Sequence, residues 1–350
     1  MKLILAGPTG TVEHDGGTFH PEQQARMFSV MDGIRELGLE AEVICPPTPK
    51  AELGDLTRVH SIAYLTELEA FCAKGGGDID PDTFARPDSW NAARRAAGAG
   101  LAAIAALEEH GEGVAFVPVR PPGHHAQHDR AMGFCLLNNV AVAAASLTAR
   151  GQKVLIVDWD VHHGNGTQSI FWDDPDVLYI STHQFPFFPG TGRAREIGGS
   201  SAWGLTVNIP LPAGATGDVV RAAIDQVARP TIEEFSPDWV LVSCGFDAHQ
   251  ADPLGDLALS SGDFAELARM VNEFTPRPGR LALFLEGGYN QTALRMSVTD
   301  TLGALLGLHT HLAAPTYGGP GMNEVRVAVT DRRRAMEAIP TTMSNVVGDR

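Results

Sequence analysis

One stretch of the chain runs a strand of branched apolar residues directly into metal-ligating residue types: Val154-Leu155-Ile156-Val157-Asp158-Trp159-Asp160-Val161-His162-His163-Gly164-Asn165-Gly166. Asp160 and His162 are two apart, so while the backbone stays extended their side chains share a face. They can then offer one oxygen and one nitrogen to a single cation. A second run, Val240-Leu241-Val242-Ser243-Cys244-Gly245-Phe246-Asp247, ends in another carboxylate after a small-residue turn. Two strand-end acids and a histidine make a three-ligand site with a position left for water, the layout of a catalytic zinc rather than a structural one. The same donors also suit iron(II) or cobalt. Taken singly, Asp-x-His reads as a capped strand end and Asp247 as a turn cap; their weight comes from occurring together.

Two further segments supply acid–base groups. In Arg120-Pro121-Pro122-Gly123-His124-His125, adjacent histidines can be buried only if both rings find polar partners, and Asp158 and Asn165 are available. A histidine paired with Asp is biased toward the cation, whereas one paired with Asn keeps a pKa nearer its reference. Leu285-Glu286-Gly287-Gly288-Tyr289-Asn290 is another strand running into a Gly-Gly turn that can aim a phenol at a pocket. In isolation, the histidines read as loop residues and Tyr289 as structural.

These residues need a frame. Short apolar runs at Lys2–Ala6, Glu42–Cys45, Val114–Val117, Val154–Val157, Val177–Ser181, Leu205–Ile209, Val240–Ser243 and Leu281–Leu285 are predicted strands. Helices are predicted over Asn91–Glu109, Asn139–Ala149, Val219–Ala228, Asp263–Glu273 and Thr292–Leu306. The alternation predicts an α/β fold: a single domain with an open, mostly parallel central sheet flanked by helices, its active site at the C-terminal ends of the strands. Three Gly- and Pro-rich connections, Gly75–Ser89, Arg120–Phe134 and His183–Trp203, are long enough to suggest function. Residues 1–312 read as the catalytic domain and 313–350, which lack clear periodicity, as a wrapping or partly mobile tail.

With 26 Lys and Arg against 42 Asp and Glu, the formal charge is 26 − 42 = −16, which argues against a nucleic-acid partner and suits neutral or cationic ones. The 44% hydrophobic content supports a large core. No apolar run approaches the ~18 residues of a membrane span, and the start is too short for a secretory signal. The four cysteines lack CxxC spacing, so neither a disulfide framework nor a thiolate zinc site is indicated. A cytoplasmic location is expected, and an oligomer is compatible with the sequence.

Taken together and in order, Arg120-Pro-Pro-Gly-His-His125, Gly133-Phe-Cys135, Asp158-Trp-Asp-Val-His-His-Gly-Asn-Gly166, Phe188-Pro-Gly190, Gly245-Phe-Asp247 and Glu286-Gly-Gly-Tyr289 resemble the zinc-dependent histone deacetylase superfamily. Trp159, Asn165 and Glu286 are similar to its class II branch, near the bacterial histone deacetylase-like amidohydrolases and acetylpolyamine amidohydrolases. The resemblance implies an arginase/deacetylase-like fold and a zinc ion held by Asp160, His162 and Asp247. It makes His124 and His125 a tandem acid/base pair backed by Asp158 and Asn165, with Tyr289 polarising the substrate carbonyl. A potassium ion is implied beside Asp158, Asp160, His162, Ser181 and Thr182, held partly by backbone. Gly133, Phe134 and Phe188 would line an acyl-lysine tunnel, Gly287 would be a further substrate-binding residue, and Arg26 would correspond to the arginine of an inner acetate channel. His124 is assigned as base and His125 as acid, with one histidine serving both roles as the alternative.

The activity so implied is hydrolysis of an N-acetylated amine. The resemblance places Leu254, in the Asp252-Pro253-Leu254-Gly255 turn, near the pocket mouth, where its apolar side chain favours acetyl-lysine or a similar acylamide over acetylpolyamines. Asp80 or Asp82 is expected at the rim. An inert acyl-lysine binding module is the reading from another class, opposed by Tyr289 and the full set of catalytic residues. Two-metal hydrolysis of the ureohydrolase type would need a second ligand cluster, which the sequence does not offer.

Overall fold

A computed structural model describes residues 2–7, 13–39, 43–310 and 313–338. Ten strands occur among them: β1 Leu3–Leu5, β2 Val43–Ile44, β3 Gly77–Asp78, β4 Phe84–Ala85, β5 Val114–Val117, β6 Val154–Asp158, β7 Val177–Gln184, β8 Thr206–Leu211, β9 Trp239–Cys244 and β10 Leu281–Leu285. Eight form one sheet in the order β2-β1-β5-β10-β9-β6-β7-β8, and every pairing in it is parallel. Because the strands are parallel, their C-terminal ends share one edge, and β5, β10, β9 and β6, which precede the chemistry-bearing loops, are consecutive neighbours. All eight predicted strands are present, β5 and β10 with the predicted ends and the other six with shifted ones.

The sheet is buried on both sides, as its near-continuous apolar strands require. Leu155 and Val157 of β6, Val240 and Val242 of β9, and Leu281 and Leu283 of β10 enter one core. Their neighbours Val154, Ile156, Trp239, Leu241, Ala282 and Phe284 enter the other. The second core is covered by α3 (Ile62–Ala73), α4 (Ser89–His110) and α5 (Asn139–Thr148). Ala93, Ala96, Ala97 and Gly100 keep α4 thin enough to lie close to the sheet.

The helices α1 (Ala25–Glu36), α2 (Leu53–Leu56), α3 and α6 (Asn165–Ile170) were not predicted. The segment predicted over Val219–Ala228 falls in α7 (Gly217–Ala223) and a π turn (Ile224–Ala228), and the helical path continues beyond it as α8 (Arg229–Phe235), which was not predicted. Pro230, which has no N–H to give, falls in the first turn of α8, where none is required. Toward the end, α9 (Ser261–Glu273) and α10 (Gln291–Leu306) lie against each other. Between 313 and 338 the expected lack of periodicity gives way to α11 (Met322–Glu337), which packs on β8. It inserts Arg332, which donates to the carbonyls of Thr206 (2.7 Å) and Gly204. The four cysteines are free, three of them buried. No helix among the described residues is long and apolar enough to cross a membrane.

Candidate active site

Asp160 and His162 follow β6, and Asp247 follows β9. The three each offer a ligand atom within 4.8 Å of the others, and both carboxylates are fully buried. Hydrogen bonds fix the carboxylates. Gly287 N–H donates to Asp160 Oδ2 (2.8 Å) and Val161 N–H to Asp247 Oδ1 (2.9 Å). Asp160 Oδ1 lies 3.1 Å from His162 Nδ1, while Asp247 Oδ2, 3.2 Å from the same nitrogen, is buried without a hydrogen bond. Burial alone would lower the pKa of His162, but the hydrogen bond with Asp160 and the charges of Asp247 and Asp160 raise it to about 10. Burial and the Asp160 charge push Asp247 up to about 7. Two acids facing one imidazole with an unmatched buried oxygen fit a divalent cation, whose charge and coordination would replace a shared proton.

No side chain could replace Gly287: a Cβ there would fall on Asp247 Oδ2 and crowd Asp160 Oδ2. The turn carrying it is held from below by Arg26, which donates to Gly288 O (2.7 Å) and Glu286 O and pairs with Glu22 (3.1 Å). The Arg26 guanidinium sits 4.9 Å from the centre of the Tyr289 ring. Its described contacts therefore support the turn and the phenol. Burial keeps the Tyr289 hydroxyl well above its ordinary pKa, so it remains a proton-bearing donor.

The tandem histidines follow β5. Nδ1 of His124 lies 3.0 Å from Asp158 Oδ2, and Nδ1 of His125 lies 2.8 Å from Asn165 Oδ1. Asp158 also accepts the Tyr179 hydroxyl at 3.1 Å. Burial opposes charge on both rings. At His124 it is overcome by Asp160, Asp158 and Glu286, which raise the pKa well above the usual value. At His125 burial wins, reinforced by the positive charge of His124 and His162, and the ring stays neutral. These surroundings bias His124 toward the cation and His125 toward the neutral ring, the opposite of what a base at His124 and an acid at His125 would require.

Glu286 belonged to a quoted motif but had been given no role. Its carboxylate accepts the N–H groups of Gly123 (2.7 Å) and His124 (3.1 Å) and the Ser243 hydroxyl (3.3 Å). It thus ties the histidine loop to the ends of β9 and β10. Burial, the largest influence, raises its pKa to about 7 against the opposing pull of His124.

Above these groups lies a cavity of about 780 Å³ lined by His124, His125, His162, Tyr289, Gly133, Phe134, Phe188, Leu254 and Gly287. Met132-Gly133-Phe134-Cys135 is a tight turn closed by hydrogen bonds between Met132 and Cys135, with φ of +55° at Gly133 and +67° at Phe134. A Cβ at Gly133 would strike the His125 ring. Phe188 meets His125 edge-on at 5.2 Å. Phe187, stacked on His162 at 5.3 Å, and His20, edge-on to Phe134 at 4.9 Å, are wall residues that sequence reasoning missed. The Phe185-Pro186-Phe187-Phe188-Pro189 run, inside a loop already marked as long, was the available signal for Phe187.

Asp80 requires correction. It does not line the cavity; its carboxylate turns onto its own loop, accepting Asp82 N–H (3.1 Å) and Thr83 N–H (2.7 Å). It borders a separate depression with Tyr64 and Asp129. Asp82 lines the pocket instead, together with Asp256. Ser181 pairs in register with Asp158 across β6 and β7, and Thr182 follows it, both buried.

At its C-terminal edge the all-parallel sheet carries an Asp–His–Asp cluster that could hold a metal ion, together with paired histidines and a phenol. The histone deacetylase domain model matches residues 20–305, and the chain belongs to that family. Its class of reaction is hydrolytic deacetylation. A probable deacetylase of Archaeoglobus fulgidus is 42% identical over 80% of this chain and 79% of its own length. The histone deacetylase-like amidohydrolase of Pseudomonas aeruginosa is 36% identical over 90% and 83%. The crystal structure of the HDA15 HD domain superposes with a TM-score of 0.87 at 32% identity, covering 99% of this chain and 100% of that one.

Proposed function

We propose that the protein is a zinc-dependent deacetylase whose substrates are acetyl-lysine or similar acylamides. The observation that carries this is the Asp160–His162–Asp247 cluster, with its unmatched Asp247 oxygen, beside a neutral His125 on the cavity wall. Asp160, His162 and Asp247 would hold one zinc ion, which when bound polarises an acyl carbonyl and lowers the pKa of water. A structural potassium ion is assigned beside Asp158, Asp160, His162, Ser181 and Thr182, a reading supported by the Asp158–Ser181 register.

His125, neutral and with Nδ1 engaged by Asn165, takes a proton from the attacking water at Nε2 and returns it to the departing amine. His124, kept cationic by Asp158, Asp160 and Glu286, supplies positive charge beside the negative tetrahedral centre. The Tyr289 hydroxyl donates to the developing oxyanion. Phe134, Phe187 and Phe188 exclude water from an uncharged acyl-lysine stem, with Leu254 at the mouth.

A second reading, acetylpolyamine deacetylation, is favoured by Asp82 and Asp256 among lining residues that include no Lys or Arg. The primary reading is tested by incubating purified protein with an acetyl-lysine peptide and measuring acetate release before and after chelation. Release that is lost with the metal and restored by zinc supports it. Absence of release, or full activity in metal-free protein, refutes it.

A further inference from the structure

Asn165 presents two chemically opposite ends, and only one of them suits a neutral histidine acting through Nε2. Its Oδ1 lies 2.8 Å from His125 Nδ1, so the ring must carry its proton on Nδ1, which leaves the Nε2 lone pair free. Were the amide turned over, Nδ2 would donate to Nδ1 and place the proton on Nε2, the wrong tautomer for accepting one from water. Something must therefore fix the amide.

The other end of Asn165 points at a sulfur: Nδ2 lies 3.3 Å from Met132 Sδ. The thioether can accept a hydrogen bond but has no proton to give. Turning the amide would set its oxygen against the sulfur and lose that bond. A second amide, Gln127 Nε2, donates to the same sulfur at 3.5 Å. Met132 is itself located by the turn it closes with Cys135, the turn that also lays Gly133 against the His125 ring.

We propose that Met132 is a positioning residue: its sulfur orients the Asn165 amide and so selects the His125 tautomer with a free Nε2. The inference rests on the deacetylase reading in assigning His125 its role. An aliphatic side chain of similar size would fill the space without distinguishing the two ends of the amide.

The test is a double-mutant cycle. Met132→Leu keeps the bulk and removes the acceptor, and Asn165→Asp replaces the amide with a carboxylate that can only accept. With Asn165 present, Met132→Leu should lower kcat about five- to tenfold, the worth of one neutral hydrogen bond, with KM little changed. In the Asn165→Asp background the same change should cost less than about twofold, since no end remains to be selected. An equal loss in both backgrounds, or none with Asn165, overturns the proposal.

Should Met132→Leu fail to fold, methionine is replaced throughout by norleucine in both backgrounds and the same ratio is read. Long-range ¹H–¹⁵N correlation of the imidazoles in the zinc-loaded protein gives a readout independent of turnover. His125 should be protonated at Nδ1 in the wild type and shift toward the Nε2–H tautomer in Met132→Leu. An unchanged tautomer also overturns the proposal, whereas a wild type with no activity counts against the deacetylase reading.

Discussion

The Glu286 carboxylate, at the end of β10, accepts the backbone N–H of His124 at 3.1 Å, so the paired-histidine loop is fastened to a strand 162 residues away. The same oxygen takes Gly123 N–H. Glu286→Ala leaves two buried backbone donors and the Ser243 hydroxyl without their acceptor, and each unmatched backbone donor costs about 1–3 kcal/mol. The expected loss, about 2–6 kcal/mol of stability, is measured by urea unfolding of the zinc-loaded protein. Glu286→Gln keeps an acceptor oxygen and should lose much less. Equal losses in the two variants would mean that the acceptor geometry is unimportant.

Removing either carboxylate of the candidate metal cluster should have a larger effect on activity. Asp160→Ala or Asp247→Ala deletes one of the three proposed ligands and one negative charge of that cluster. Turnover should become undetectable, and metal content should fall from about one equivalent toward zero. Elemental analysis of the purified proteins checks this, and a variant with full metal and full activity would remove that residue from the ligand set.

Tyr289→Phe removes only the hydroxyl from a ring already held by Arg26 and Phe134. KM should change little while kcat falls ~10²–10³-fold, the usual cost of one oxyanion donor. Steady-state kinetics on an acetyl-lysine peptide decide it. An unchanged kcat would assign Tyr289 to the pocket wall alone.

A pH dependence of stability follows from His60, far from the cation site in sequence. Its Nδ1 lies 2.8 Å from the Gln127 carbonyl, and its Nε2 accepts Asn138 N–H at 3.0 Å, a pairing available only to the neutral ring. Burial lowers its pKa from 6.5 to about 4. Between those values the unfolded chain binds the proton that the folded one refuses, so stability is present above pH 6.5 and is lost as pH falls toward 4. The His60 contribution to that loss is about 2 kcal/mol between pH 7.5 and 5. His60→Leu should be less stable at pH 7.5 yet show a shallower acid dependence in denaturant titrations. Parallel curves would exclude His60 as a source of acid sensitivity.

The eight sheet strands were legible because burial on both faces leaves continuous apolar runs. Most of their ends were not, since β7 carries its hydrogen-bond ladder past the apolar segment into His183 and Gln184. In α1 the buried positions include Arg26, Ser29 and Gly33, and in α11 Arg332 occupies a core-facing position, so hydrophobic periodicity is diluted at the residues that pack. In α3, by contrast, Tyr64, Leu65, Leu68 and Cys72 have helical spacing and Ser61 caps the start, a signal present in the sequence and left unused. The site residues could be collected from sequence as an inventory. The direction of the histidine protonation preferences follows from the pairings with Asp158 and Asn165, whereas the added influence of Asp160 and Glu286 on His124 could not be read, because they converge from other strands.

The cavity lining bears on substrate choice. Leu254 lines the cavity and has no charge, while the carboxylate of Asp252 is turned inward, accepting Leu254 N–H (3.0 Å) and Tyr289 N–H (2.6 Å). The residues of this turn that line the cavity, Pro253, Leu254 and Gly255, therefore offer apolar contact, suited to the neutral neighbours of an acetyl-lysine in a peptide. Against it stand Asp82 and Asp256 in the same lining and a net charge of −16, which attract any cation. Asp256 is partly committed, since its Oδ2 accepts Gln184 Nε2 at 3.1 Å. We expect acetyl-lysine peptides to have the higher kcat/KM in a side-by-side comparison with acetylputrescine and acetylspermidine. Leu254→Glu places a carboxylate in the lining and should shift the ratio toward the polyamines. Raising salt should weaken that gain, because exposed charges are screened. If the wild type prefers acetylpolyamines by tenfold or more, ~1.4 kcal/mol of transition-state discrimination, the rim acids outweigh Leu254. Asp82→Asn and Asp256→Asn would then identify which carboxylate holds the distal ammonium.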